Sequence, residues 1–437
     1  MASATAVGYR PGCAFAAALL GPLVLGLGSC ANPMGGTAPA PESTGPTPTV
    51  TSATPASATP TSAAPTSATP ARTPSPPATK PASPPGPSST PGRRCADLVQ
   101  RLSLDQRVGQ LLMVAVTSTG LTETQAAALA RTHAGSVVLL GNTTAGRAAV
   151  QAVVADVRDA AGSPAGVGLL LAADQEGGQV QRLAGEGFSS IPSAQQQARQ
   201  SPRELAREAK VWGDELAAAG VSADLAPVAD VVPPELAGVN EPVAQLRRGY
   251  GSSPTAVAEH VAAFISGMDA ADIATAVKHF PGLGRVRGNT DFTARVVDST
   301  TRRDDPGLAG FRAAVDAGVD MVMVSSATYT GIDRRRLAVF SPTVVQEMIR
   351  GDLGFDGVVI SDDLAAAALQ DVPAERRALD FVMAGGDLAI VGDPSEAATM
   401  ADALVRAAES DPEVAQRVDE SAARVLALKD RRGLAGC

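Results

Sequence analysis

Acidic and basic side chains recur where short apolar runs end. Asp174 closes GLLLAAD, Asp230 closes SADLAPVAD, Lys278 and His279 stand in IATAVKHF, Asp362 and Asp363 close GVVISDD, and Asp393 closes LAIVGD. A carboxylate so placed can attack an electrophilic carbon, pass a proton, or accept two hydroxyl hydrogen bonds at once. Adjacent residues of a strand point to opposite sides, so Lys278 and His279 are expected to need partners on both. The sequence holds three histidines, His133, His260 and His279. The first two fall in helical or pre-strand surroundings and read as ordinary surface residues. Asp362 and Asp363 alone are a thin basis for a metal, and there is no histidine-rich ligand set at the strand ends, so neither a metal nor a cofactor is expected.

These residues converge only if the apolar runs lie side by side. Eight such runs occur, at 111–116, 135–141, 168–174, 222–230, 273–280, 321–327, 357–363 and 388–393. Their apolarity is continuous rather than alternating, as in strands of a parallel sheet covered on both faces. Between them lie stretches of helical spacing such as RELAREAKVWGDELAAAG and TVVQEMIRGDL. Eight strands alternating with helices predict an α/β fold, a TIM-type (β/α)8 barrel. In that fold the C-terminal strand ends gather the chemistry, which is where the polar residues above are placed.

The chain has 437 residues, 45% of them hydrophobic and 3% aromatic, and a formal net charge of -9. With no basic run, nucleic acid is excluded as the main partner. Arg10 precedes a short apolar run, and Leu27-Gly28-Ser29-Cys30 resembles a bacterial lipobox. A signal peptide over residues 1–29 is therefore expected, with lipid carried on Cys30 and an extracytoplasmic, membrane-anchored location; plain secretion is the alternative. Residues 30–93 are almost entirely Pro, Ser, Thr, Ala and Gly, a composition that cannot bury enough apolar surface to order itself, and read as a tether. Residues 94–437 remain for a single catalytic domain. Cys95 and Cys437 stand at its two ends, and in an oxidising compartment they are expected to form a disulfide.

Five segments also carry a family likeness. DQEGGQVQRL (174–183), LAPVADV (225–231), RRGYGSSP (247–254), KHFPGLG (278–284) and FDGVVISDDL (355–364) resemble successive motifs of glycoside hydrolase family 3. The nearest branch is the single-domain β-N-acetylglucosaminidases in their bacterial lipoprotein form, and the likeness covers residues 97 to 430. It implies Asp362 as the nucleophile of a retaining glycosidase, which attacks the anomeric carbon and is later released by water. It further implies Asp174 as the holder of sugar hydroxyls, with Arg248, Lys278 and His279 as additional sugar-binding positions. Arg182 joins them, although the arginine usual after the paired glycines is here Gln179.

One loop departs from that pattern. In the branch the proline-glycine turn is followed by His-Gly, four residues and Asp-Ser-His, whose last histidine is the general acid/base. Here Leu283 replaces the first histidine, the spacer is two residues longer, and Asp291-Phe292-Thr293 replaces the final triplet. Threonine is too weak an acid for the task. Asp291 can serve if burial raises its pKa and the loop folds over the sugar. Otherwise the enzyme acts only on good leaving groups, or the domain binds sugar without cleaving it. The expected substrate is a terminal β-linked N-acetylhexosamine, from cell-wall-derived or other β-linked sugars, with a β-glucoside as runner-up. Trp212, Tyr250 and Tyr329 are too few to line a long polysaccharide cleft, which predicts an exo-acting pocket. Arg285 and Arg287 read as solvent-facing, and the protein as a monomer.

Overall fold

The computed structural model describes residues Cys95–Cys437; the expected signal segment, Cys30 and the tether lie outside the described residues. Eight strands are the frame: β1 (Leu112–Thr117), β2 (Ser136–Leu140), β3 (Leu170–Ala173), β4 (Ala223–Asp224), β5 (Ala274–Phe280), β6 (Met321–Val324), β7 (Val358–Ser361) and β8 (Ala389–Val391). Each pairs in parallel with the next from β1 to β7, and β8 returns to pair with β1. A parallel bridge between Ile360 and Leu388 closes the ring between β7 and β8. This is the α/β barrel that the alternating runs predict.

The strands are buried on both faces, for the reason their continuous apolarity suggested. Met113 and Ala115 of β1 join Ala172, Ala276, Met323 and Ile360 in a core inside the barrel. The intervening Leu112, Val114 and Val116 face a second, larger core beneath the helices. Successive strand residues alternate between the two layers, as a period of two requires.

The fourth run is shorter in structure than in sequence. The expected strand over 222–230 is paired only at Ala223 and Asp224, because Pro227 has no N–H to give the ladder. Pairing resumes at a single bridge from Val228 to Lys278.

Helices α1 (Pro202–Ala218), α2 (Pro254–Asp269), α3 (Ala309–Asp316) and α4 (Pro412–Arg431) belong to the outer layer. In α1, Ser201 and Glu204 form a reciprocal capping box and Pro202 occupies the first turn, so local sequence sets where the helix begins. Its buried Leu205, Ala209, Trp212 and Leu216 recur at helical spacing. Gly267 of α2 lets the two helices touch, since a Cβ there would lie 2.4 Å from the Ala206 carbonyl oxygen. From α4, Val425 and Leu428 plug the interior core of the barrel. Cys95 and Cys437 are joined by the expected disulfide, with Cα atoms 4.9 Å apart.

Candidate active site

One cavity of about 490 Å³ opens at the C-terminal ends of the strands. All seven residues given a catalytic or sugar-binding role from the family likeness line it: Asp174, Arg182, Arg248, Lys278, His279, Asp291 and Asp362. The barrel twist brings together residues up to 188 positions apart, which no local feature of the chain could do.

Its inner wall is a network of paired charges. Lys278, 2% exposed, lies at the end of β5 and donates to Asp174 Oδ1 at 2.6 Å. It reaches Glu176 Oε1 at the same distance. Arg248 binds Glu176 with two parallel hydrogen bonds of 2.8 Å, the bidentate geometry that fixes a guanidinium in place. Arg182 approaches Asp174 at 3.8 Å and donates to Asn142 Oδ1. Burial alone would favour a neutral Lys278, but Asp174 and Glu176 outweigh it and hold its pKa above the ordinary value. Burial likewise opposes charge on Glu176, yet Arg248 and Lys278 prevail and hold its carboxyl well below the usual range.

Glu176 has no part in the sequence reading. Its signal was spacing: two residues after Asp174, it can share that residue's face of an extended segment.

His279 is set by Asp230. Its Nδ1 lies 2.8 Å from Asp230 Oδ2, and its Nε2 lies 3.3 Å from Arg248 Nη2. The backbone N–H groups of His279 and Leu283 both donate to Asp230 Oδ1, so one buried carboxylate anchors the ring and the loop that follows. The expectation that Lys278 and His279 point apart is corrected. The peptide between them is cis, pairing to β6 shifts register between Val277 and Phe280, and both side chains line the cavity.

Asp362 follows β7 and is half-buried in the cavity wall. Its backbone N–H donates to Val324 O, and its Oδ1 accepts from the Asp363 N–H at 3.0 Å. Burial pushes its carboxyl up, His279 draws it back and Asp291 pushes it up again, leaving a pKa of about 6. Asp363 is a seating residue. Its Oδ1 accepts from the backbone of Ala365 and Gly392. A Cβ at Gly392 would fall 2.1 Å from the other Asp363 oxygen and push that carboxylate aside.

A carboxylate in a pocket that also holds paired cations and hydroxyl acceptors suits attack on a polar, hydroxyl-bearing substrate. The comparisons decide the family. The model described as "Glycosyl hydrolase family 3 N terminal domain" matches residues 103–428. The chain belongs to glycosyl hydrolase family 3. It is 34% identical over 298 residues to a β-hexosaminidase of Stenotrophomonas maltophilia, covering 65% of this chain and 84% of that one. The solved β-N-acetylhexosaminidase of Beutenbergia cavernae superposes with a TM-score of 0.74 and 46% identity, over 75% of this chain and 99% of that one. A family 3 β-N-acetylglucosaminidase from a Paenibacillus species gives 0.68 and 30%, over 77% and 64%.

In this glycoside hydrolase the divergent loop is held from both sides. Asn289 N–H donates to Glu241 Oε2 at 3.2 Å, and Asn289 in turn accepts the backbone N–H groups of Asp291, Phe292 and Thr293. Ala367 and Ala368 donate back to the carbonyls of Asp291 and Thr290. Asp291 reaches the cavity but is exposed, so the burial on which its role as an acid was premised is not seen. Leu283 is buried and lines the cavity in place of the branch's histidine.

Three further expectations are corrected. His260 is not a surface residue: it is 6% exposed, stacks on Tyr250 with centroids 5.5 Å apart, and contacts the carbonyls of Ala256 and Gln200. Likewise His133 is half-buried, ending its helix in a left-handed turn at φ 50°. Arg285 does not face solvent freely but pairs with Asp305 at 2.6 Å, whereas Arg287 is exposed. Asp393, grouped with the strand-end acids, is exposed outside the cavity wall and caps the turn at Ser395.

Proposed function

We propose that this glycoside hydrolase is an exo-acting, retaining β-N-acetylhexosaminidase. Asp362 is the nucleophile and Asp291 the general acid/base. Asp174, Lys278, Arg248, His279 and Arg182 hold the hydroxyls of the terminal sugar. The observation that carries the reading is the convergence of Asp362 with the Asp174–Lys278–Glu176–Arg248 network on one cavity of about 490 Å³, within the ~300–1,000 Å³ usual for small-molecule sites. The named relatives, β-hexosaminidase and β-N-acetylhexosaminidase, support the choice of sugar.

In the first step Asp362 displaces the leaving group from the anomeric carbon while Asp291 gives that group its proton. In the second, water deprotonated by Asp291 cleaves the glycosyl ester and returns Asp362 as a carboxylate. Asp291 is already close enough to bias the charge of Asp362, and a sugar seated over it would remove the water that now bathes it.

Intact-mass analysis with activated 5-fluoro β-glycosides of glucose and N-acetylglucosamine tests this. An N-acetylglucosaminyl adduct on wild type that is absent from Asp362→Ala is expected. Turnover of an unactivated glycoside should then fall about 10²- to 10⁴-fold in Asp291→Ala. A glucosyl adduct alone would move the specificity to β-glucosides. No adduct beside measurable sugar binding would make the domain a sugar-binding protein.

The reading extends to a monomer held at the outer face of the membrane only by lipid on Cys30, supported by the lipobox-like Leu27-Gly28-Ser29-Cys30. Release of Cys30→Ser from the membrane fraction, and sedimentation of the soluble domain, test that part.

A further inference from the structure

Four large apolar side chains are strongly exposed among the described residues, and Phe292, at 82%, is the sole aromatic among them. Single exposed apolar residues ordinarily need no explanation. Phe292 differs because it lines the catalytic cavity, next in sequence to Asp291.

Depth in this cavity is graded by exposure. Lys278 and His279, 2% and 4% exposed, mark the inner end, while Asp291 and Phe292 stand at the mouth. The loop is not slack: Asn289 takes the backbone N–H groups of Phe292 and Thr293 at 3.1 and 2.8 Å. The backbone beneath the ring is therefore fixed while its apolar face is left uncovered. Trp212, Tyr250 and Tyr329, by sequence too few to line a long cleft, are all buried and offer no platform, which leaves Phe292.

Resting on the reading above, a terminal sugar in the inner end directs its leaving group toward Asp291. We propose that Phe292 is the platform of an aglycone subsite, on which the second pyranose of a β-linked disaccharide lays its C–H face. An aromatic ring offers large apolar area at low entropic cost, and a pyranose face presents matching axial C–H groups. Lengthening the loop by two residues and placing Phe beside Asp291 couples recognition of the leaving sugar to the group that protonates it.

Binding separates this subsite from the chemistry. In the catalytically silent Asp362→Asn background, calorimetry with N-acetylglucosamine and with its β-1,4-linked dimer gives the preference for the second sugar. The dimer is expected to bind more tightly, Phe292→Ala to lose about 5- to 10-fold of that preference with the monosaccharide unaffected, and Phe292→Trp to keep it. Monosaccharide binding with an unchanged dimer preference in Phe292→Ala would overturn the subsite alone. Absence of monosaccharide binding in every variant would overturn the glycosidase reading, and the subsite with it.

Discussion

As the proposed nucleophile Asp362 must be ionised to attack, yet burial and the neighbouring Asp291 carry its pKa to about 6. On an activated aryl N-acetylglucosaminide, whose leaving group departs without a proton from Asp291, the free-enzyme kcat/KM should therefore fall as pH drops through about 6, and Asp291→Asn, which removes one negative neighbour, should move that limb to lower pH. A flat profile between pH 5 and 7 would contradict the assignment. Glu176 sits under two cations. Its folded pKa is depressed, so it stabilises the fold above the unfolded carboxylate value and loses that contribution as pH falls toward the folded one. Glu176→Gln leaves Arg248 and Lys278 short of a buried partner. A cost of about 3–5 kcal/mol in urea unfolding near neutral pH is expected, shrinking in acid.

The barrel floor makes its own demand on α4. Lys429 is fully buried there and donates to Gln110 Oε1 and to Gly135 O, each at 2.6 Å, with no carboxylate beside it. Burial pulls its pKa down to about 7. Between that value and the unfolded value of about 10.4 the unfolded chain binds more protons, so this residue adds stability as pH rises through the window. Lys429→Met orphans two buried acceptors and should cost about 1–3 kcal/mol near pH 7, with the gap to wild type widening toward pH 10. A constant gap across that range in parallel denaturation curves would refute the titration.

Across the molecule, the Cys95–Cys437 bridge spans 342 residues and ties the first described helix to the end of the chain. Closing so long a loop restricts the unfolded ensemble strongly. Reduction is expected to destabilise the domain by about 3–5 kcal/mol and to lower its melting temperature while leaving the cavity, which no part of the bridge lines, functional. Loss of activity at temperatures where the reduced protein stays folded would argue for a tie between the termini and the site.

Much of this was written along the chain. Continuous apolar runs, helical spacing between them and acids at their ends sufficed for an eight-stranded parallel barrel, because burial on both faces and the periods of helix and strand are local properties. The strand-end reading likewise named Asp174, Lys278, His279 and Asp362, all of which line the cavity. Contacts between distant segments were not legible. That Glu176 bridges Arg248 and Lys278, that Asp230 seats His279, that His260 is buried against Tyr250, and that Asp291 lies exposed beside an exposed Phe292 depend on side chains brought together by barrel closure. Period and composition determine which face of an element is buried. Only the closed barrel decides which charges meet there, since pairing energy belongs to geometry across strands rather than to any one of them.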